Sequence, residues 1–181
     1  TIKYTATTAD ATLEKTFNDI ILVLKSKLSQ KEKIKWANSA LDILENWFKE
    51  DELRSVQVAK RKLIPILEKL VEGSNINDMA LFFDCYKRTY CFCARRDFEC
   101  FVDYIEWNMP KKVLANRRKV LEPYVNALNR IAFDDNLQYI IASFAPSMGK
   151  SYLATLFTAW GYGLSINHSV IRMSYSDELV L

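Results

Sequence analysis

One segment combines residue types and order suited to holding a polyphosphate: Ser147-Met148-Gly149-Lys150-Ser151. A polyphosphate concentrates negative charge and needs several donors at once. The first turn of a helix supplies unpaired amides and a partial positive charge. Glycine lets the backbone come close to the phosphates. Lys150 is placed to reach the β- and γ-phosphates, and Ser151 to set its hydroxyl on Mg²⁺. Lys150 and Ser151 are therefore the candidate catalytic residues, with Ser151 the candidate metal contact. Ala145, Pro146, Ser147, Met148, Gly149, Lys150 and Ser151 make up the candidate binding loop. The cofactors this chemistry implies are ATP and Mg²⁺. The full phosphate-loop pattern, G-x-x-x-x-G-K-[ST], opens on glycine, whereas this chain has Phe144 there. The bland alternative is an ordinary strand-turn-helix with a solvated lysine.

The flanking sequence favours the phosphate loop. Leu137-Gln138-Tyr139-Ile140-Ile141-Ala142-Ser143 is short, apolar and partly β-branched, which predicts a buried strand. Pro146 marks a turn. From Ser151 onward Leu153, Leu156, Phe157 and Trp160 share one helical face, and Gly161 and Gly163 end it. Val170-Ile171-Arg172-Met173-Ser174-Tyr175 predicts a second strand. The expected fold is thus an α-helical N-terminal region over residues 1–120. After it, over residues 121–181, comes the start of an α/β P-loop NTPase domain with a truncated parallel sheet.

The residues ahead of this unit predict helices. Thr1–Asp10 lacks periodicity and reads as a loose arm. Leu13, Phe17, Ile20, Ile21, Leu24 and Leu28 form one stripe. Ser29 and Glu32 have capping-box spacing, and Ile34, Ala37, Leu41, Leu44 and Phe48 follow on one face, with Trp47 beside them. Asp51 is placed to cap a third helix burying Leu53, Val56, Leu63, Leu67 and Leu70, with a kink or break expected near Ile64 because of Pro65. Asn77–Trp107 predicts two helices, the second capped by Asp97 with Phe98, Phe101, Val102 and Ile105 inward. Pro110 opens a last helical pattern that Pro123 is placed to divide.

Half of the 181 residues are hydrophobic and 13% are aromatic, so a buried core is within reach and global disorder is excluded. Four glycines and four prolines leave few turns, which again favours long helices. A net charge of +3 permits a nucleic-acid partner without requiring one. Lys111, Lys112, Arg117, Arg118 and Lys119 are the densest basic cluster, with Arg95 and Arg96 earlier. Contact with DNA phosphates is the functional reading and a solvated helix face the favoured one. Cys85, Cys91, Cys93 and Cys100 lack metal-site spacing and read as reduced structural thiols. No apolar run is long enough to span a bilayer. The end, Asp177-Glu178-Leu179-Val180-Leu181, reads like the opening turn of another helix, as expected for a piece of a longer polypeptide.

The segment Phe144–Leu153, then Ala159-Trp160, Val170-Ile171 and Tyr175-Ser176-Asp177-Glu178-Leu179, resembles the start of the ATPase domain in tailed-phage terminase large subunits. Ala94–Val102 resembles the segment those proteins carry ahead of that domain, so the likeness covers about residues 93–181. It implies an ATP-hydrolysing motor that drives double-stranded viral DNA into a procapsid, with a nuclease domain elsewhere in the polypeptide. It further implies a homo-oligomeric ring, a portal protein and a small terminase subunit as partners, and the host cell cytoplasm as location, with no membrane. For the adenine it points to residues 124–138, where Asn129, Arg130 and Gln138 are the polar candidates. Two features depart from the family pattern. Ser147 stands where many members have an arginine, and the acidic pair that holds Mg²⁺ is absent, as are the nuclease carboxylates. The resemblance therefore predicts weak nucleotide binding without turnover by these 181 residues. Another P-loop ATPase, of helicase or AAA type, and a non-enzymatic helical adaptor are the alternatives.

Overall fold

Local capping sets the helix boundaries. Ser29 and Glu32 close a reciprocal capping box: the Ser29 amide donates to Glu32 Oε2 at 3.0 Å and the Glu32 amide to Ser29 Oγ at 3.4 Å. Asp51 ends one helix and caps the next, accepting from the Arg54 amide at 3.0 Å. Asp97 does the same for the Cys100 amide at 2.9 Å. The structure, a computed structural model, describes the backbone of residues 8–165 and the side chains of 11–165. In chain order the helices are α1 (Thr8–Lys25), α2 (Gln30–Glu50), α3 (Glu52–Val58), α4 (Ile64–Glu72), α5 (Ile76–Ala94), α6 (Phe98–Glu106), α7 (Leu114–Ile131) and α8 (Lys150–Leu164).

Between α3 and α4 lies a π-turn, Ala59–Leu63, where the Ile64 amide reaches back five residues to the Ala59 carbonyl. Its cause is Pro65, which has no amide to give and crowds the preceding turn. The break expected near Ile64 thus takes the form of one widened turn rather than a loop. Lys60, in that turn, reaches both Asp97 (2.8 Å) and Glu99 (2.8 Å) at the start of α6. Burial pushes the Lys60 ammonium down, but the Asp97 carboxylate overcomes it, so the charged form is held above the ordinary lysine value of 10.5.

Lys60→Met is expected to cost about 1.5 kcal/mol, because it strands Asp97 in a mostly buried position while Lys60 itself keeps a third of its side chain in water. A raised lysine stabilises the fold below its unfolded value and loses that contribution as pH rises through the folded one. The gap between wild type and variant should therefore be level from about pH 6 to pH 10 and shrink only above that. Urea denaturation at a series of pH values checks it.

The chain divides into two compact units, Thr1–Pro110 and Lys111–Leu181. The first has one core. Phe17, Ile20, Ile21 and Leu24 of α1 meet Ala37, Ala40, Leu41, Leu44 and Trp47 of α2, and the small residues let these two helices approach closely. Val56, Leu63 and Leu67 close it from one side and Phe82, Cys85, Phe92 and Cys93 of α5 from the other. Trp47, not Phe48, is the fully buried ring of α2, and Leu53 is exposed rather than inward. Arg95 forks onto Glu45 at 2.7 and 2.8 Å and lies over the Phe48 and Phe92 rings, while Arg96 pairs with Glu52 at 2.6 Å. These two arginines tie α5 to α2 and α3. All four cysteines are free and all but Cys91 are buried, with burial pushing the Cys85 thiol up to about 11.

In the second unit α7 and α8 supply the core, through Leu121, Tyr124, Val125 and Leu128 on one helix and Leu153 and Trp160 on the other. The segment joining them is fastened near both ends by rings: Phe133 sits edge-on to Trp160 at 5.8 Å, and Phe144 meets Tyr124 at 5.5 Å. Pro123 does not divide α7. It is exposed, so the carbonyl it leaves unbonded faces water. The break falls instead at Arg117, whose φ of −130° and ψ of 21° leave the helical region.

The sheet expected from the sequence is not there. Among the described residues 76% are helical and no strand is present, so the fold is helical and not the opening of an α/β domain. Residues 137–143 have no ladder partner among the described residues, and Tyr139 and Ile141 are 76% and 89% exposed, the opposite of a buried strand. Apolar, β-branched composition favours a pleated, half-buried surface only where a neighbouring strand provides one. The second expected strand, residues 170–175, lies outside the described residues.

Candidate functional site

The candidate loop lies wholly in the second unit, between the ring contact of Phe144 with Tyr124 and the first turn of α8. Two residues there take left-handed backbone conformations: Ser147 at φ 60° and Gly149 at φ 100°. The second needs glycine, since a side chain on that backbone is strained. A Cβ on Gly149 would also stand 2.4 Å from the Val113 Cγ1, closer than carbon atoms pack. Gly149 is therefore demanded by backbone and packing alike. Its carbonyl accepts the first helical hydrogen bond of α8, from the Leu153 amide at 3.0 Å. Among the described residues no side chain caps α8, whose first turn keeps its unpaired amides and partial positive charge.

Lys150 and Ser151 are the first two residues of α8, and both are exposed. Among the described residues no carboxylate pairs with the Lys150 ammonium. Ala145, Pro146 and Ser147 are exposed, and Met148 and Gly149 are half-buried. The loop residues singled out from the sequence thus form one continuous turn into a helix, with a free cation at its first position.

The three adenine candidates are placed differently. Arg130 is in the last turn of α7 and reaches Asp134 at 3.6 Å, an exposed i,i+4 pair that closes the helix end. Gln138 is exposed in the extended segment. Asn129, the third polar candidate, is half-buried one residue before Arg130. The helix carries Arg130 roughly 20 Å along its axis from Arg117, at 1.5 Å per residue. Nothing in the contacts of Arg130 directs it at the loop.

Sequence reasoning passed over two residues that brace the loop. Arg117 donates from Nη1 to the Ser147 carbonyl at 2.9 Å, at the point where α7 departs from helical geometry. Val113 packs its Cγ1 on Gly149. Arg117 stood out only as one member of a basic cluster, and Val113 carried no signal at all. The bond fixes the left-handed Ser147 peptide and brings a second positive charge to the loop. Lys111, Lys112 and Lys119 of the same cluster are exposed.

The residues present fit a phosphate tail better than a metal. Among the described residues no cluster of three or more His, Cys, Asp or Glu side chains could hold an ion. Mg²⁺ would therefore have to arrive with phosphate oxygens and meet the Ser151 hydroxyl as a single protein contact. Among the described residues no helix is long and apolar enough to cross a membrane.

Comparisons with protein-family models, with curated proteins and with solved structures find no match for this chain. Geometry and chemistry alone bear on what the loop does.

Proposed function

We propose that residues 145–151 bind the phosphate tail of a nucleotide, ATP with Mg²⁺, and that the chain is the nucleotide-binding front part of a viral DNA-packaging motor of the terminase large-subunit type. The observation that carries the phosphate reading is the turn itself. Ser147 and Gly149 in left-handed conformations lead straight into a helix that, among the described residues, has no side-chain cap and whose first side chain is a lysine with no carboxylate partner. Concave runs of backbone amides beside a helix N-terminus attract anions. Lys150 adds a mobile cation and Arg117 holds the turn from behind. The motor assignment rests on the sequence resemblance at Phe144–Leu153, Ala159-Trp160 and residues 170–179, and on nothing in the helical fold.

In this reading the work of the chain's own residues is binding and orientation. Loop amides and the Lys150 ammonium hold the phosphates, and the Ser151 hydroxyl meets the metal that accompanies them. The acidic pair that in the resembled family holds Mg²⁺ and activates water is absent from these residues. Nucleotide is bound and not turned over by these residues alone. DNA, portal protein, small terminase subunit and a ring of like subunits are the partners that go with the proposal.

Thermal unfolding in the presence and absence of Mg-ATP tests it. Ligand that binds only the folded state stabilises by about 1.4 kcal/mol when present at roughly ten times its Kd. Wild type should show that rise, and Lys150→Ala should lose at least tenfold in affinity while unfolding at the same temperature as wild type without nucleotide. An equal rise in both proteins would refute the phosphate loop. Inorganic triphosphate in place of ATP separates phosphate recognition from base recognition.

A further inference from the structure

Far from the loop in sequence, α1 and the π-turn with α4 form the two walls of an open groove of about 640 Å³. Its apolar lining includes Ile21 and Leu22 from α1 and Pro65, Ile66 and Leu70 from α4. Leu22 is 66% exposed there, although it sits on a helix whose other aliphatic residues are largely buried. Four cations line the groove too, Lys25 from α1 and Arg61, Lys62 and Lys69 from the π-turn and α4. Among the described residues no carboxylate lines the groove. Among the described residues none of these four cations has a carboxylate partner, and Lys62 donates instead to Asn18 Oδ1 at 2.7 Å. Four other cations of the same unit are matched with carboxylates: Arg54 with Glu14, Lys60 with Asp97 and Glu99, Arg95 with Glu45, Arg96 with Glu52.

We propose that this groove docks an amphipathic helix of a partner protein, apolar on the face that enters and acidic along both flanks. Charge complementarity decides the occupant. An aliphatic lining with cations from both walls fits a helix with leucine-type anchors at i, i+3, i+4 and i+7 and carboxylates beside them. The spacing of the lining matches that geometry: Asn18, Leu22 and Lys25 follow one helical stripe, and Lys62, Ile66 and Lys69 another. Arg61 and Lys62, in the π-turn, line the same groove as Lys69 of α4. The groove is not an enclosed cavity, which suits a helix face better than a small molecule enclosed on all sides.

The test uses the full chain and a fluorescein-labelled helical peptide of leucine and glutamate with that spacing, followed by fluorescence anisotropy. Saturable binding is expected, weakening as salt is raised. Lys25→Glu with Arg61→Glu and Lys69→Glu should weaken it tenfold or more. Leu22→Asp, a single change at an exposed site, should weaken it at least fivefold with the helical circular dichroism unchanged. Reversing Lys31, Lys35 and Lys49, exposed on α2 and outside the groove, should alter it less than twofold. Equal loss from the two sets of reversals would overturn the proposal, as would no saturable binding. It would also fall if a peptide with lysine in place of glutamate bound as well. Binding to phosphatidylglycerol vesicles that is lost with the same reversals, without peptide binding, would assign the groove to a lipid surface. Concentration-dependent self-association lost with Leu22→Asp would assign it to a second copy of the chain. Either result overturns the partner-helix proposal.

Discussion

Trp47→Ala is expected to remove about 4 kcal/mol from the stability of the first unit. The ring is fully buried at the meeting of α1 and α2, tilted on Phe17 at 6.5 Å, with the Arg54 guanidinium 5.8 Å from its centre. Its loss removes the transfer free energy of the indole, leaves a cavity between two helices, and takes the stacking surface from an arginine that also pairs with Glu14 at 2.5 Å. One term works the other way. The indole N–H is buried with no hydrogen-bond partner among the described residues, which costs the native protein about 1–3 kcal/mol. Trp47→Phe removes that unsatisfied donor together with part of the ring, and should cost only about 1 kcal/mol. Domains of this size are stable by about 5–15 kcal/mol, so the alanine variant should melt roughly 15–20 °C lower and the phenylalanine variant only a few degrees lower. Urea and thermal melts read both. A loss below about 1 kcal/mol for alanine would mean that the indole is not the keystone its burial indicates.

What was legible in the sequence was the part decided within a few residues. The Ser29–Glu32 box, the Asp51 and Asp97 caps and the disturbance before Pro65 all depend on side chains within one turn of the backbone groups they satisfy. The stripe Phe17, Ile20, Ile21 and Leu24 was equally clear. Neighbouring positions were harder: Trp47 and Phe48 differ by 100° around one helix, and which ring enters the core depends on where α1 lies. The misjudged element, residues 137–143, shows the limit plainly. Composition reports a preference for burial, but a strand exists only through hydrogen bonds to another strand, and the preference was read as the partner. The loop was recognised for its Gly-Lys-Ser, and the structure does bring Gly149 and Lys150 into one turn at a helix start. Arg117 was invisible as a brace because its bond to Ser147 spans thirty residues of chain and exists only once α7 breaks.

Gly149→Ala is expected to destabilise the second unit by about 3 kcal/mol, from two separable causes. At φ 100° and ψ 7° an alanine carries roughly 1–2 kcal/mol of backbone strain. Its Cβ would also meet Val113 Cγ1 at 2.4 Å, and valine is stiff about χ1, so relief requires movement of α7 against α8, at about 1–2 kcal/mol. Val113→Ala removes the obstruction without touching the backbone. The double variant should therefore recover the steric part and keep the conformational part, a coupling of about 1–2 kcal/mol favouring the pair over the sum of the singles. Strict additivity would show that the close approach is not what demands glycine. The same pair divides folding from binding at the loop. Gly149→Ala should lower stability without any nucleotide present, because the strain is in the protein, whereas Lys150→Ala should leave stability unchanged and remove only the response to Mg-ATP. If Gly149→Ala with Val113→Ala regains most of its stability but not the nucleotide response, the left-handed backbone at 149 serves the anion as well as the fold. If it regains both, the glycine is there for packing, and the recognition of phosphate rests on Lys150 and the amides of α8.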